Sequence, residues 1–243
     1  VTSFAPFLSM RASEQIRMNL GYMKLPVNVV ALGSGLSMGF LGNSHYGLED
    51  IAVMRTIPGL NISSPADNFE LGKILNDYVK NNRGPSYIRL TGAPGHPHVY
   101  DNDYDYDFNK FHEIKDGKDI LILTTGSMVS QTLAANKFLQ NQGINSKILN
   151  LYTIKPLPNK IFEIIRNFDK IVIVEEHSIV GGLYSSILEQ TSSKRINKNF
   201  LSISLENSFG PTGDYNYLLN YHGLVGEKIS KKIIDFLTKN IDQ

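Results

Sequence analysis

Cysteine is absent from the 243-residue chain, which removes disulfides, thiolate metal sites and a cysteine nucleophile together and fits a reducing compartment, by default the cytoplasm. An excess of either charge is also missing, since 24 Lys and Arg stand against 23 Asp and Glu. No Lys/Arg cluster is interleaved with aromatics either, so a nucleic acid is not an expected partner. No apolar run approaches the roughly 20 residues of a membrane-spanning helix. The opening Val-Thr-Ser-Phe-Ala carries no basic stretch ahead of an apolar one, so neither anchoring nor export is signalled. The first residue is Val1 rather than Met, and Phe4 and Phe7 read as the end of a buried strand running into a helix. The chain is therefore expected to open inside a domain.

What is present is the composition of a packed protein, 42% hydrophobic and 19% charged, with length enough for two domains. Short β-branched runs alternate with amphipathic segments, the pattern of parallel strands joined by crossover helices. The expected class is α/β: two consecutive doubly wound domains with mostly parallel sheets, the first N-terminally incomplete. In the first, residues 1–92, helices are expected over Ala12 to Tyr22 and Asp67 to Asn81, and strands over Val27 to Leu32 and Ser86 to Leu90. Between them lies a loop in which Gly33, Gly35, Gly39 and Gly42 recur with Ser34, Ser37 and Ser44, so the backbone there is free to approach a neighbour closely.

Residues 93–117 turn to Gly, Pro, His, Asp and Tyr and read as a linker. Residues 118–243 read as a second α/β unit. Its strands are expected at Asp119 to Thr124, Lys147 to Tyr152, Lys170 to Glu175 and Phe200 to Ser204. Helices are expected at Met128 to Gln142, Asn159 to Phe168, from Gly182, and near Gly226 to Thr238. Asp67 and Ser127 stand at N-cap positions, and Gly143 where a helix C-cap belongs.

Several residues are candidates for chemistry. Phe4-Ala-Pro-Phe7 either offers two aromatic faces to a flat heterocycle or buries both rings in the core. His45, just after the Gly/Ser loop, either binds or protonates a substrate oxygen near neutral pH or simply bonds the loop. Glu49 and Asp50 fit the acidic first turn of a helix, and Arg83, just before Gly84, a solvated helix end. Thr125-Gly126-Ser127 is either an anion-binding helix start or a tight turn with an N-cap. Glu175-Glu176-His177 followed by Gly181-Gly182 is either a carboxylate–histidine site or a strand-end turn. His96 and His98 lack a third ligand nearby, so no metal is expected on this chain.

Taken together, these segments resemble the pyrimidine-binding and C-terminal domains of transketolases, 1-deoxyxylulose-5-phosphate synthases and the beta subunits of 2-oxo acid dehydrogenases. The resemblance runs almost end to end. Its sharpest pieces are the stretch from Thr2 to Gln15, Gly42-Asn-Ser-His-Tyr-Gly-Leu-Glu-Asp50, Arg55-Thr-Ile-Pro-Gly59, Pro85-Ser-Tyr-Ile-Arg-Leu90, Leu151-Tyr-Thr-Ile-Lys-Pro-Leu157 and Gly210-Pro-Thr-Gly213. It implies that Phe4 and Phe7 lie against the aminopyrimidine of thiamine diphosphate, with Met10 at the pocket wall. It further implies that His45 contacts the donor substrate, orienting or protonating its oxygens. Arg11 and Arg89 match arginines with which the synthases hold a substrate phosphate, an ordinary ion pair being the alternative for each.

Departures from the pattern matter as much. Gly33 and Ser34 replace a His-Asp-Ser-like start of the loop, and Phe40 and Leu41 replace a Glu-Asp pair that reads a ketose hydroxyl. No Glu precedes Phe4, whereas the family carries an activating glutamate ahead of the aromatic pair, and no Gly-Asp-Gly diphosphate signature is found. The resemblance thus implies a C-terminal subunit or fragment that transfers a two-carbon ketol or acyl unit from a ketose or 2-oxo acid. Mg²⁺ and the diphosphate would be held by an N-terminal transketolase-like subunit or domain, within a homodimer or heterotetramer. A 2-oxo acid decarboxylase or dehydrogenase beta-like subunit, a deoxyxylulose-phosphate-synthase-like enzyme and a non-catalytic scaffold or regulatory subunit are the alternatives.

Overall fold

The computed structural model describes residues 1–93, 95–100 and 103–238. Among them the strands form two five-stranded sheets. In the first, β1 (Thr2–Phe4), β2 (Asn28–Leu32), β4 (Ser86–Arg89) and β3 (Asn61–Ser63) lie side by side and parallel. The Val-Val-Ala run of β2 and the fully buried Ser-Tyr-Ile-Arg of β4 suit strands covered on both faces. Helices α2 (Asp50–Arg55) and α3 (Asn68–Lys80) provide the crossovers.

The first helical run starts at Phe7, ahead of the expected Ala12, and passes through Phe7–Arg11, Ser13–Gln15 and Ile16–Tyr22 as α1. Pro6 immediately precedes it, where a fixed φ and a missing N–H cost a helix nothing. Much of α1 is wound in wide turns, with Ala12 N donating to Phe7 O at 3.0 Å and Met23 N to Met18 O at 2.9 Å. Because the helix begins so early, only Ala5 and Pro6 separate the end of β1 from α1.

The second sheet runs β10 (Asn199–Leu205), β9 (Lys170–Ser178), β6 (Ile120–Thr124), β7 (Ser146–Asn150), β5 (His112–Lys115). All pairs are parallel except β5 with β7. Helices α4 (Met128–Asn141), α5 (Lys160–Arg166), α6 (Leu183–Ser193), α7 (Tyr215–Tyr221) and α8 (Gly226–Thr238) accompany it. One apolar core is continuous across both sheets, joining Val29, Ile62 and Tyr87 to Leu121, Leu151 and Ile173.

Two boundary expectations are corrected. The strand expected over Lys147 to Tyr152 stops at Asn150, and the chain then crosses to lend β8 (Thr153–Lys155) to the first sheet, antiparallel to β3. Nor is the stretch 93–117 a free linker: it contributes β5 to the second sheet and is tied back onto α3. Val99 N and Tyr100 N donate to Asp67 Oδ2 at 2.9 and 3.2 Å, and Lys73 Nζ to Tyr104 O at 2.6 Å. Pro94, Asp101 and Asn102 of that stretch lie outside the described residues. Asp67 does cap α3, accepting from Glu70 N at 2.9 Å. Ser127 does not cap α4; its hydroxyl donates to Glu176 Oε2 instead.

The tie to α3 centres on a fully buried carboxyl. Glu70 accepts from the Tyr100 and Tyr104 hydroxyls, from Asn150 Nδ2 and from Ala66 N. Burial is nevertheless the larger influence and raises its pKa to about 7 from an ordinary 4.5. A raised carboxyl pKa stabilises the fold below about pH 4.5, and that contribution is lost as pH rises through about 7. His177, lowered by burial to about 4, acts in the opposite sense: its contribution is present above about 6.5 and lost as pH falls through about 4. Glu70→Gln removes only the first effect. Urea unfolding at pH 5 and pH 8 should show the variant losing about 2 kcal/mol less than the parent on going to the higher pH.

Candidate active site

The carboxyl ends of β1, β2 and β4 open on one side of the first sheet, where ligands of parallel α/β sheets commonly bind. Phe4 is the last residue of β1 and Phe7 the first of α1. Their rings, both half-buried, meet edge to face with centroids 5.8 Å apart. His45 arrives from the loop between β2 and α2, its imidazole centred 6.1 Å from Phe4 and 5.3 Å from Phe7. Three residues far apart in the chain thus form one aromatic cradle. The Ser44 hydroxyl lies 3.0 Å from His45 Nδ1; with the hydroxyl donating, the neutral ring carries its proton on Nε2.

Met38 also belongs to this wall, although the sequence gives no sign of it. A methyl group built on Gly33 would stand 2.7 Å from Met38 Cγ and 3.4 Å from Phe4 Cδ1. A flexible apolar residue in a polar loop carries no signal for such a position. Met10, one turn into α1, is 46% exposed. Arg11 is exposed too, and its guanidinium lies over the Phe7 ring, 4.2 Å from the centroid, a cation–π contact at the rim of the cradle.

Arg89 is elsewhere. Only 1% exposed, it donates from Nε to both Asp50 oxygens at 2.9 Å and from Nη2 to Gly47 O and Glu176 O at 3.1 and 2.7 Å. Tyr87 adds a hydroxyl donor to Asp50 at 3.0 Å. Burial alone would lower the Arg89 pKa, but the Asp50 and Glu176 carboxylates more than offset it, and the guanidinium stays charged. Of the two arginines considered as phosphate ligands, this one is held inside the protein as the partner of a buried carboxylate, and Arg11 stands at the surface.

Beside the cradle, and sharing Gly33 with it, lies a cleft of about 420 Å³ lined by residues that include Leu32, Asp67, Thr91, His96 and His98. No Lys or Arg is among its described lining residues. Burial lowers the His96 pKa below the ordinary imidazole value, against a smaller opposing pull from Asp67. Behind the loop the Glu175-Glu176-His177 run is buried at the end of β9. Glu175 accepts from Leu183 N and Tyr184 N at the start of α6, and burial raises its pKa to about 7. His177 Nδ1 is 2.7 Å from Ser178 O. These three residues make a packed strand end rather than an open carboxylate–histidine site. Among the described residues no group of three His, Asp or Glu side chains is placed to hold a metal ion, and no helix is long and apolar enough to cross a membrane.

A parallel sheet whose strand ends carry an aromatic pair and a loop histidine, followed by a second α/β unit packed against it, defines a tandem α/β protein with a strand-end ligand pocket. Comparison with known proteins narrows this class. Residues 1–93 match the transketolase pyrimidine-binding domain and residues 109–229 the transketolase C-terminal domain. The chain is 35% identical over 240 residues to a putative transketolase C-terminal section of Methanocaldococcus jannaschii, covering 98% of this chain and 75% of that protein. It is 32% identical over 240 residues to one of the subunits of the apulose-4-phosphate transketolase of Phocaeicola vulgatus, covering 97% and 75% respectively. A solved structure described as a split gene transketolase, inactive beta4 tetramer, superposes with a TM-score of 0.85 at 30% identity, covering 98% of this chain and 75% of that one. The chain belongs to the transketolase family, whose enzymes depend on thiamine diphosphate.

Proposed function

We propose that this chain forms the aminopyrimidine side of a thiamine diphosphate site in a transketolase-type transferase that moves a two-carbon ketol or acyl unit. The observation that carries this reading is the meeting of Phe4, Phe7 and His45 within about 6 Å of one another. The residues fit the cofactor: two half-buried rings with a methionine wall suit a flat, weakly polar heterocycle, and such contacts contribute about 0.5–1.5 kcal/mol beyond burial. Bound there, thiamine diphosphate supplies the carbanion chemistry. Phe4 and Phe7 hold and orient its ring, Met10 and Met38 limit water beside it, and His45 exchanges a proton or hydrogen bond with a substrate oxygen. Arg11, at the rim, meets an anionic end of the substrate.

Mg²⁺, the diphosphate and the activating glutamate fall to another domain or a partner subunit of the enzyme. Support for a partner comes from the Phocaeicola relative, which is itself one of the subunits of its transketolase, and from the beta-chain tetramer described as inactive. The test is calorimetric titration of thiamine diphosphate with saturating Mg²⁺ into the complete enzyme, including its diphosphate-binding counterpart. Binding should weaken about tenfold in Phe4→Ala or Phe7→Ala. No binding to the unsubstituted enzyme overturns the reading.

A 2-oxo acid rather than a ketose as donor is favoured by one observation. Phe40 and Leu41, in the same loop as His45, are 64% and 45% exposed, and apolar side chains cannot read a polyol by hydrogen bonding. Turnover of pyruvate without turnover of xylulose 5-phosphate would select the 2-oxo acid, and the converse the ketose.

A further inference from the structure

The Gly-rich loop between β2 and α2 belongs by sequence to the first domain, yet three of its apolar side chains pack into the core of the second. Leu36, Tyr46 and Leu48 are buried in the cluster that contains Ile122, Val174 and Leu218 of the second domain. Hydrogen bonds follow the same course. Leu36 N donates to Glu176 Oε1 at 2.6 Å, Gly213 N to Gly39 O at 3.3 Å, Asn43 Nδ2 to Gly210 O at 3.2 Å and Ser178 N to Leu48 O at 2.9 Å. The Tyr46 hydroxyl donates to Pro211 O. Glu176 is itself fixed by the hydroxyls of Ser127 and Tyr215.

Two glycines permit this approach. Gly35, at φ 68°, lies where a methyl group would overlap the Glu176 carboxylate, and one on Gly39 would overlap Leu218. A Gly-rich loop without tethers has the most backbone freedom to lose on ordering. Close to His45, the tethers at Asn43 and Tyr46 run to carbonyls of the second domain, while Gly47 is held by Gly35 and by Arg89 of β4.

We infer that the second domain is a positioning element of the active site: Glu176 and the Gly210 and Pro211 carbonyls grip the loop on both flanks of His45 and set where its imidazole stands against Phe4 and Phe7. This rests on the reading of His45 as the group that meets substrate. It gives the second domain a defined part in turnover, with Tyr46 and Asn43 as positioning residues.

The test uses the complete enzyme carrying Tyr46→Phe, which deletes one hydroxyl, and Asn43→Ala at an exposed site, each alone and combined with His45→Ala. Each single variant should lower kcat about tenfold while the Kd for thiamine diphosphate stays within about twofold. Combined with His45→Ala, neither should cause a further loss, since residues acting through one group are not additive. Independently of activity, the His45 ring resonance in ¹⁵N-histidine-labelled protein should shift or broaden in both variants while that of His112 stays put. Losses that multiply with that of His45→Ala, or an unchanged His45 resonance in both variants, would overturn the inference. Should His45→Ala itself leave kcat unchanged, the substrate-facing reading of His45 fails, and the resonance still decides whether the second domain positions the ring. If Tyr46→Phe does not fold, Asn43→Ala carries the same outcomes.

Discussion

His45→Ala in the complete enzyme is expected to lower kcat by about 10²–10⁴-fold, the range in which positioned proton donors and acceptors act. Thiamine diphosphate affinity should change by no more than about threefold, because the pyrimidine contacts proposed here are made by Phe4 and Phe7. The imidazole is the one group of the cradle with ring nitrogens that can both donate and accept a proton. It touches the aromatic pair only at ring distance, 5.3 and 6.1 Å between centroids, so its loss leaves the pair standing. Steady-state kinetics and calorimetry on the same preparation separate the two effects. Equal losses in turnover and cofactor affinity would mean that His45 binds the cofactor rather than the substrate.

Asp50→Ala is expected to destabilise the fold by about 3–5 kcal/mol, the range for removing one partner of a buried ion pair. The Arg89 guanidinium would stay buried with its carboxylate gone, and the Tyr87 hydroxyl would lose its acceptor. In a protein of this size the melting temperature should fall by about 10 °C, readable by calorimetry on the isolated chain. A double variant with both partners apolar, Asp50→Leu with Arg89→Met, should recover much of the loss, because no uncompensated charge remains. A single-variant loss below about 1 kcal/mol would show that Arg89 reaches water when Asp50 is removed. The pair matters to the site because Arg89 also holds the Gly47 and Glu176 carbonyls, which join the His45 loop to the second domain.

Legibility varied with how far a signal had to travel along the chain. The runs expected at Val27 to Leu32, Asp119 to Thr124 and Lys170 to Glu175 became β2, β6 and β9 with small shifts at their ends, since a buried β-branched run is its own signal. The short strands β3, β5 and β8 were not legible, because Asn61-Ile-Ser63, His112-Glu-Ile-Lys115 and Thr153-Ile-Lys155 each hold a single apolar residue among polar ones and pair only through a neighbour distant in the chain. Arg89 reads toward a phosphate because nothing in Pro85-Ser-Tyr-Ile-Arg-Leu90 announces a carboxylate arriving from Asp50 on a helix 39 residues away. Phe4, Phe7 and His45 are named through resemblance, but their meeting is a property of the folded chain.

Cysteine's absence, the near-balance of charge, the α/β alternation and the family motifs were settled by the sequence itself, since each depends on residue identity or local periodicity. Tertiary structure decided the rest. It gathered the aromatic cradle at the strand ends, buried Arg89 against Asp50, turned the expected linker into an edge strand and a tether, and carried the His45 loop into the second domain's core. Each of those depends on a partner distant in the chain, and a close approach is decided by packing in space.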